Sequence, residues 1–322
     1  MFLEALDRLL SDHAGGASIR RLEAGEPDAG LWRAIEQAGF LDLMRAEEQG
    51  GAALPPAQLF PLLECLGRHG VPLSIAQTIV ARGLVPDLPD GMITIATQLQ
   101  RPAGGAVRCL HVPAGMLAAQ VLTCEADQLL LLDGAGAKRT PLGDRRSLVA
   151  DLSWSDDAAV KPVGTGGHAL AAYAAALTAA LLSGAMQRTF EMTLDQCNGR
   201  VQFGKSIGKF QAVQQQISLM AEHVLAASIA AEAAFRGAGP AVAPLAAAVA
   251  KSRTSEAAAL VAATAHAVHG AIGMTDEFDL GILTRRLHEW RMQYGAERVW
   301  NRWIGESLLA SGKTLADFVR VV

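Results

Sequence analysis

Residues 200–211, Arg-Val-Gln-Phe-Gly-Lys-Ser-Ile-Gly-Lys-Phe-Gln, combine the side chains that bind an anionic ligand with the glycines that let a backbone approach one. Arg200 offers a planar fork that matches a phosphate, and Lys205 adds a second cation. Gln202 and Gln211 contribute amides, Phe203 an aromatic face, and Gly204 and Gly208 the backbone freedom. Such a turn, ending where a helical pattern begins, could hold a pyrophosphate at the helix start. The same residues also suit an ordinary interhelical loop with solvated charges, and residue chemistry alone leaves both readings open.

The spacing Arg200-x-Gln202-Phe203-Gly204 with Phe210-Gln211 resembles the R-x-Q-F-G-x-x-x-x-x-F-Q signature of the acyl-CoA dehydrogenase flavoproteins. Val268-His269-Gly270-Ala271-Ile272-Gly273-Met274-Thr275-Asp276-Glu277 resembles the family's Q-x-H-G-G-x-G-x-T-x-E segment, and runs on into Asp279-Leu280 and Arg285-Arg286. Gly50-Gly51-Ala52 and Leu62-Leu63-Glu64-Cys65-Leu66-Gly67-Arg68 resemble an N-terminal G-G-x-G…L-E-E-L-G-R helix. The resemblance implies an FAD site to which Arg200, Gln202, Phe203, Gly204, Gln211, His269, Gly270 and Gly273 contribute, with the arginine on the pyrophosphate across a dimer. It also implies an acyl-CoA substrate and an electron-transfer flavoprotein or similar acceptor.

The chemistry of that family needs a carboxylate to take the α-proton of a thioester, because that proton is only weakly acidic. One family position is the Glu of a Y-E-G-T segment, which falls here on Tyr294-Gly295-Ala296. The alternative position, on the first long helix of the C-terminal domain, falls at about Ala174 within Ala171-Ala172-Tyr173-Ala174-Ala175-Ala176. Neither carries an acid. Glu297, beside the eroded segment, is the remaining candidate base, although a glutamate at a helix start also simply favours the helix dipole. Glu277 and Asp279 are expected to serve as capping residues. The family's T-E-P-x-x-G-S-D stretch has become 96–105, Ala-Thr-Gln-Leu-Gln-Arg-Pro-Ala-Gly-Gly, without its acids.

These residues need a helical scaffold, and the composition provides one. Of the 322 residues 51% are hydrophobic but only 5% aromatic, a core of Ala, Leu and Val suited to closely packed helices. The pattern predicts a mainly α chain with a small β domain: an N-terminal helical domain over 1–91, a reduced antiparallel β domain over 92–163, and a C-terminal helical bundle over 164–322. Strands are expected at 92–97, 107–112, 119–124 and 128–133, and a hinge-like linker at Gly164–Gly167. Helices are expected at about 168–198, 208–236, 240–270, 277–294 and 296–318, the third starting near Pro240. This is also the domain order of the acyl-CoA dehydrogenase fold.

A net charge of −4 argues against a general nucleic-acid binder. Cys65, Cys109, Cys124 and Cys197 lack C-x-x-C spacing and read as buried thiols of a reducing cytoplasm, and no metal is expected. His266 and His269 stand three apart with no third ligand at a fixed spacing. Glu4, Asp7 and Arg8 interrupt any secretory signal. The uncharged run 169–186 is half alanine and is expected to be a buried helix and not a membrane span. The expected function is FAD-dependent α,β-dehydrogenation of an acyl-CoA with a bulky, steroid-type acyl group, by one subunit of a homo- or hetero-oligomer (dimer or tetramer). The alternatives are a non-catalytic subunit that completes a partner's FAD site, or a homomeric flavin- or CoA-binding protein.

Overall fold

The computed structural model describes residues 2–26, 30–102, 105–143, 146–156, 160–237 and 241–320. Five helices open the chain: α1 (Phe2–His13), α2 (Gly16–Glu23), α3 (Leu31–Gln37), α4 (Pro56–Arg68) and α5 (Ile75–Leu84). Eight short strands follow: β1 (Ile93–Ile95), β2 (Leu99–Gln100), β3 (Val107–Val112), β4 (Gln120–Glu125), β5 (Gln128–Asp133), β6 (Lys138–Pro141), β7 (Ala150–Trp154) and β8 (Val160–Thr165). The C-terminal part holds α6 (Gly167–Gly199), the hairpin β9 (Val201–Gln202) and β10 (Lys205–Ser206), α7 (Gln211–Phe235), α8 (Pro244–His269), α9 (Leu280–Met292), α10 (Glu297–Ser311) and α11 (Leu315–Val319).

α6 forms the axis of the molecule. Its alanine run has no polar stripe, so it is buried on every side, against α4, α7, α8 and α9. The crossing with α4 depends on two glycines. A Cβ on Gly184 would lie 1.9 Å from the Glu64 carbonyl oxygen, and one on Gly67 would lie 2.2 Å from that of Leu181. Gly184→Ala is therefore expected to force the helices apart and cost about 1–3 kcal/mol. Urea unfolding should show a lower midpoint for it, while Gly199→Ala, whose Cβ meets nothing within 4 Å, should leave the midpoint in place.

The strands form two four-stranded sheets, ordered β1-β4-β5-β8 and β2-β3-β7-β6. The first is a middle layer. Leu122 and Leu129 pack on the helices, while their neighbours Val121 and Leu130 pack against the second sheet with Val107, Leu152 and Trp154. Burial on both faces explains the unbroken Leu129–Leu132 run. Two expectations need correction. The sheet is not wholly antiparallel, because β1 and β4 pair in parallel. The chain leaves β1, crosses to the second sheet as β2 and β3, and returns beside β1 in the same direction. The expected linker is also partly strand: Gly164 and Thr165 belong to β8, an edge strand that tolerates Pro162 because an edge leaves N–H groups unpaired.

Helix boundaries follow the apolar pattern closely at α6 and α7. α8 begins at Pro244, a proline at a first-turn position, while Pro240 lies outside the described residues. The expected last helix is two helices. Gly312 turns left-handed at φ 65°, and Thr314 restarts the chain by accepting from the Asp317 amide.

Ion pairs tie the N-terminal helices to α9. Glu23 on α2 is almost fully buried, accepts from Arg285 at 2.7 Å and pairs with buried Arg286. Arg286 also reaches Glu289 at 2.8 Å. At the solvent edge Arg20 meets Asp279 at 2.8 Å. Asp279 thus serves as an ion-pair partner and makes no side-chain cap for α9.

Candidate functional site

The 200–211 segment folds back on the end of α6 as a two-residue hairpin. Gln202 pairs with Lys205, and the turn residues Phe203 and Gly204 take φ of 51° and 78°. Positive φ at both positions is the hairpin geometry that matches strand twist. Glycine adopts it freely, whereas Phe203 does so while 91% exposed. Its ring meets Phe210 edge-on at 6.2 Å, and the Lys205 ammonium sits 4.3 Å above the Phe210 ring. Below the hairpin, Cys197, Ile207 and Val268 form a small core of their own.

That core brings the two motifs together. Arg200 Nη1 donates to the His269 carbonyl at 3.2 Å, and a Cβ on Gly270 would lie 3.6 Å from the same nitrogen. His269 ends α8 with its ring buried on Phe278 at 5.2 Å and its Nδ1 on the Ala265 carbonyl at 2.8 Å. Burial pushes its pKa down, so the imidazole is neutral. Gly270 takes φ 65°, and Gly273 is enclosed, its Cβ position 2.9 Å from that of His269. Arg200, His269 and Gly270 thus lie in one place. Gln202, Phe203, Gly204 and Gln211 face solvent beside it. His266 and His269 do not converge on a metal, since His266 Nε2 pairs with the Thr284 hydroxyl at 2.9 Å.

The positions where a base would stand are structurally closed. Tyr294 and Gly295 turn left-handed at φ 55° and 99°. The Tyr294 hydroxyl donates to the Ile95 carbonyl at 3.0 Å, and burial raises its pKa, keeping the phenol neutral. A Cβ on Gly295 would stand 3.2 Å from Val299 and 3.3 Å from Trp300 Nε1, which donates to the Gly295 carbonyl at 3.1 Å. Ala174 is fully buried in the helical core, and its carbonyl accepts from Thr178 at 2.8 Å. Glu297 is engaged by Arg291, whose Nε donates at 3.0 Å while Nη2 holds the second oxygen. This pairing holds Glu297 below the usual carboxylate range and leaves it a weak proton acceptor. Behind it Lys251 is fully buried, with Nζ on the Ser255 hydroxyl at 2.7 Å and the Arg291 carbonyl at 2.9 Å. Burial lowers its pKa to about 7, with Glu297 opposing the shift. Lys251 is the one lysine inside the alanine-rich α8, and that isolation is its only signal in the sequence.

The Acyl-CoA dehydrogenase, C-terminal domain family is matched over residues 169–309. Acyl-CoA dehydrogenase IpdE2 of Mycobacterium tuberculosis (strain ATCC 25618 / H37Rv) is 30% identical over 298 residues, 89% of this chain and 90% of that protein. The chain belongs to the acyl-CoA dehydrogenase family. Solved structures share its fold, two of them with names that mark a steroid enzyme or a complex. The Tcur3481-Tcur3483 steroid ACAD G363A variant aligns with a TM-score of 0.82 at 24% identity, over 96% of this chain and 97% of that one. The ChsE4-ChsE5 complex from Mycobacterium tuberculosis aligns with a TM-score of 0.82 at 21% identity, over 97% and 96%.

Within that fold Arg200 and the 269–273 segment lie side by side, and the two positions where the resemblance implies a base carry Gly295 and Ala174, neither of which can take up a proton. Its C-terminal surface also exposes several apolar side chains. Leu219, Leu225 and Ile229 on α7 and Val299 and Leu309 on α10 are exposed, and α10 buries no residue. α6, α7 and the Pro244–Met274 stretch are each long and apolar enough to cross a membrane by length and composition. In α6 that character lies in the core, with 89% of the apolar window buried, against 28% in α7.

Proposed function

We propose that this chain is one subunit of an FAD-dependent acyl-CoA dehydrogenase assembly, in which it contributes the Arg200 loop to an FAD site and a partner chain contributes the base. The observation that carries this reading is the contrast between the two halves of the site. Arg200 and Gly270 meet at a partly exposed place, held from below by buried His269 and Gly273, whereas Gly295 has a left-handed backbone and Ala174 is sealed in the core. The residues fit a flavin pyrophosphate: a guanidinium at the surface, a glycine beside it at positive φ, and an exposed aromatic on a fixed hairpin. FAD bound there would supply the acceptor for the β-hydrogen of an acyl thioester, taken as hydride.

In that assembly Arg200 holds negative charge, Gln202 and Gln211 offer amides beside it, and His269 keeps its carbonyl under the guanidinium. The exposed apolar residues of α7 and α10 support an oligomer through the C-terminal helices, since contiguous apolar surface marks interfaces. A bulky, steroid-type acyl-CoA as substrate draws support from the likeness to the Tcur3481-Tcur3483 steroid ACAD, and a heteromer from the likeness to the ChsE4-ChsE5 complex. An electron-transfer flavoprotein as acceptor and a cytoplasmic location complete the proposal.

The test is the flavin absorbance and stoichiometry of the purified protein, alone and co-expressed with a homologous partner. Arg200→Ala is expected to lower the FAD content of the complex sharply while circular dichroism stays unchanged. Loss of a charge-assisted contact of this kind costs about 1.5–3 kcal/mol, a drop of roughly 10- to 100-fold in affinity. Unchanged flavin occupancy in Arg200→Ala would overturn the assignment. A monomer by light scattering at micromolar concentration would overturn the oligomer.

A further inference from the structure

Outside the Arg200 loop, three side chains of different chemistry converge where α1 meets the end of α4. Cys65 in the last turn of α4 and His69, the residue that caps its C-terminus, are four residues apart and hence on one face, and Asp7 reaches them from α1. Asp7 Oδ1 lies 2.9 Å from His69 Nε2 and 3.6 Å from Cys65 Sγ, and all three ligand atoms fall within 4.8 Å of one another. Among the described residues this is the one such cluster of His, Cys, Asp and Glu.

We propose that Asp7, Cys65 and His69 form a zinc site. A tetrahedral zinc, with a bond of about 2.3 Å to sulfur and about 2.0 Å to nitrogen and oxygen, sets its ligands roughly 3.3 Å (O to N) and 3.5 Å (S to O) apart. The observed 2.9 and 3.6 Å need side-chain shifts of only a few tenths of an ångström, and the sulfur and imidazole, within 4.8 Å of one another, need to close in by at most about 1.3 Å. A thiolate, an imidazole and a carboxylate form a mixed donor set that zinc favours over magnesium or calcium, which take all-oxygen ligands. The thiolate and carboxylate together neutralise the dication. Binding breaks the Cys65 S–H bond and releases that proton to solvent, while His69 keeps its remaining proton on Nδ1.

The fourth position is open. Asp7 and His69 line a cavity of about 360 Å³ between α1, α2, α4, α6 and α9, together with Arg68, Arg188 and Asp279. Three protein ligands with one open position admit water or an anionic donor as the fourth. The charge of Arg68 is met by Glu191 at 2.8 Å. The metal would join α1 to α4, and so fix the N-terminal helix against the body of the protein.

The probe is cobalt(II), then zinc(II), added to the untagged full-length chain under reducing conditions. Wild type is expected to bind one cobalt per chain with a thiolate-to-cobalt charge-transfer band and tetrahedral visible absorption, both abolished by one equivalent of zinc. Cys65→Ser should lose the charge-transfer band. His69→Gln should weaken cobalt binding at least about 100-fold, beyond the 10- to 100-fold expected for loss of an outer-sphere partner. Cys124→Ser should bind as wild type. If Cys65→Ser fails to fold, His69→Gln carries the test. Absence of the charge-transfer band in wild type, or equal cobalt affinity in His69→Gln, would overturn the site.

Discussion

Purified alone, the chain is expected to oxidise butyryl-, octanoyl- or palmitoyl-CoA roughly 10²- to 10⁴-fold more slowly than a chain with a placed base would, the usual contribution of one general base. A thioester α-proton leaves at a useful rate only with a carboxylate in contact with it. Gly295 offers none, Ala174 is buried in the core, and Glu297 is paired to Arg291. Restoring the acid by Gly295→Glu is not expected to restore the rate. A side chain at φ 99° carries about 1–3 kcal/mol of backbone strain and meets Val299 and Trp300 at 3.2 and 3.3 Å. Stopped-flow bleaching of flavin-loaded protein is the measurement. Turnover by the isolated chain that Glu297→Gln abolishes would identify Glu297 as a recruited base. Robust turnover in Glu297→Gln would show that the base lies elsewhere in this chain.

Removal of Glu23 should have the largest effect on stability. Arg286 is 1% exposed, and Glu23→Ala would leave it buried with only the part-exposed Glu289 as counter-charge. Breaking a buried pair from one side costs about 3–5 kcal/mol, a large share of the roughly 5–15 kcal/mol by which domains are stable. Chemical denaturation should report the loss as a lower midpoint. Arg20→Ala, which removes only the more exposed pair with Asp279, should cost less than about 1 kcal/mol. Equal costs for the two variants would show that the Glu23–Arg286 pair is not the anchor of α2 on α9.

The helices were legible in the sequence where an apolar run continues without interruption, and α6 is the clearest case. They were less legible where a break is local: Gly312-Lys313-Thr314 is a stop followed by a start signal, and the Ala, Leu and Val pattern on either side masked it. β2, β6, β7 and β8 escaped separate recognition: Leu99–Gln100 is two residues long, Ala150–Trp154 alternates over only five, and Lys138–Pro141 and Val160–Thr165 are charged, proline-bearing edges without alternation. The parallel β1–β4 pair rests on a non-local return of the chain, which no local pattern encodes. At the site, the motif spacing pointed to Arg200 and His269, but their meeting depends on the Cys197, Ile207 and Val268 contact across the bundle. The absence of an acid at position 295 was visible; the left-handed backbone that opposes one was not. The cluster of Asp7, Cys65 and His69 was hidden because its third member comes from another helix, 58 residues before Cys65.

The two larger cores among the described residues give the molecule unequal cooperativity. The N-terminal helices and the C-terminal bundle share one continuous core, from Leu6 to Trp290, so neither can open without exposing the other. The space between the two sheets is filled by a separate, smaller set, Ala96 to Trp154. Such a set can open as a unit of its own, at a lower free energy than global unfolding. The second sheet is therefore the part of this protein that can breathe, shorten or change its loops while the helical body stays folded.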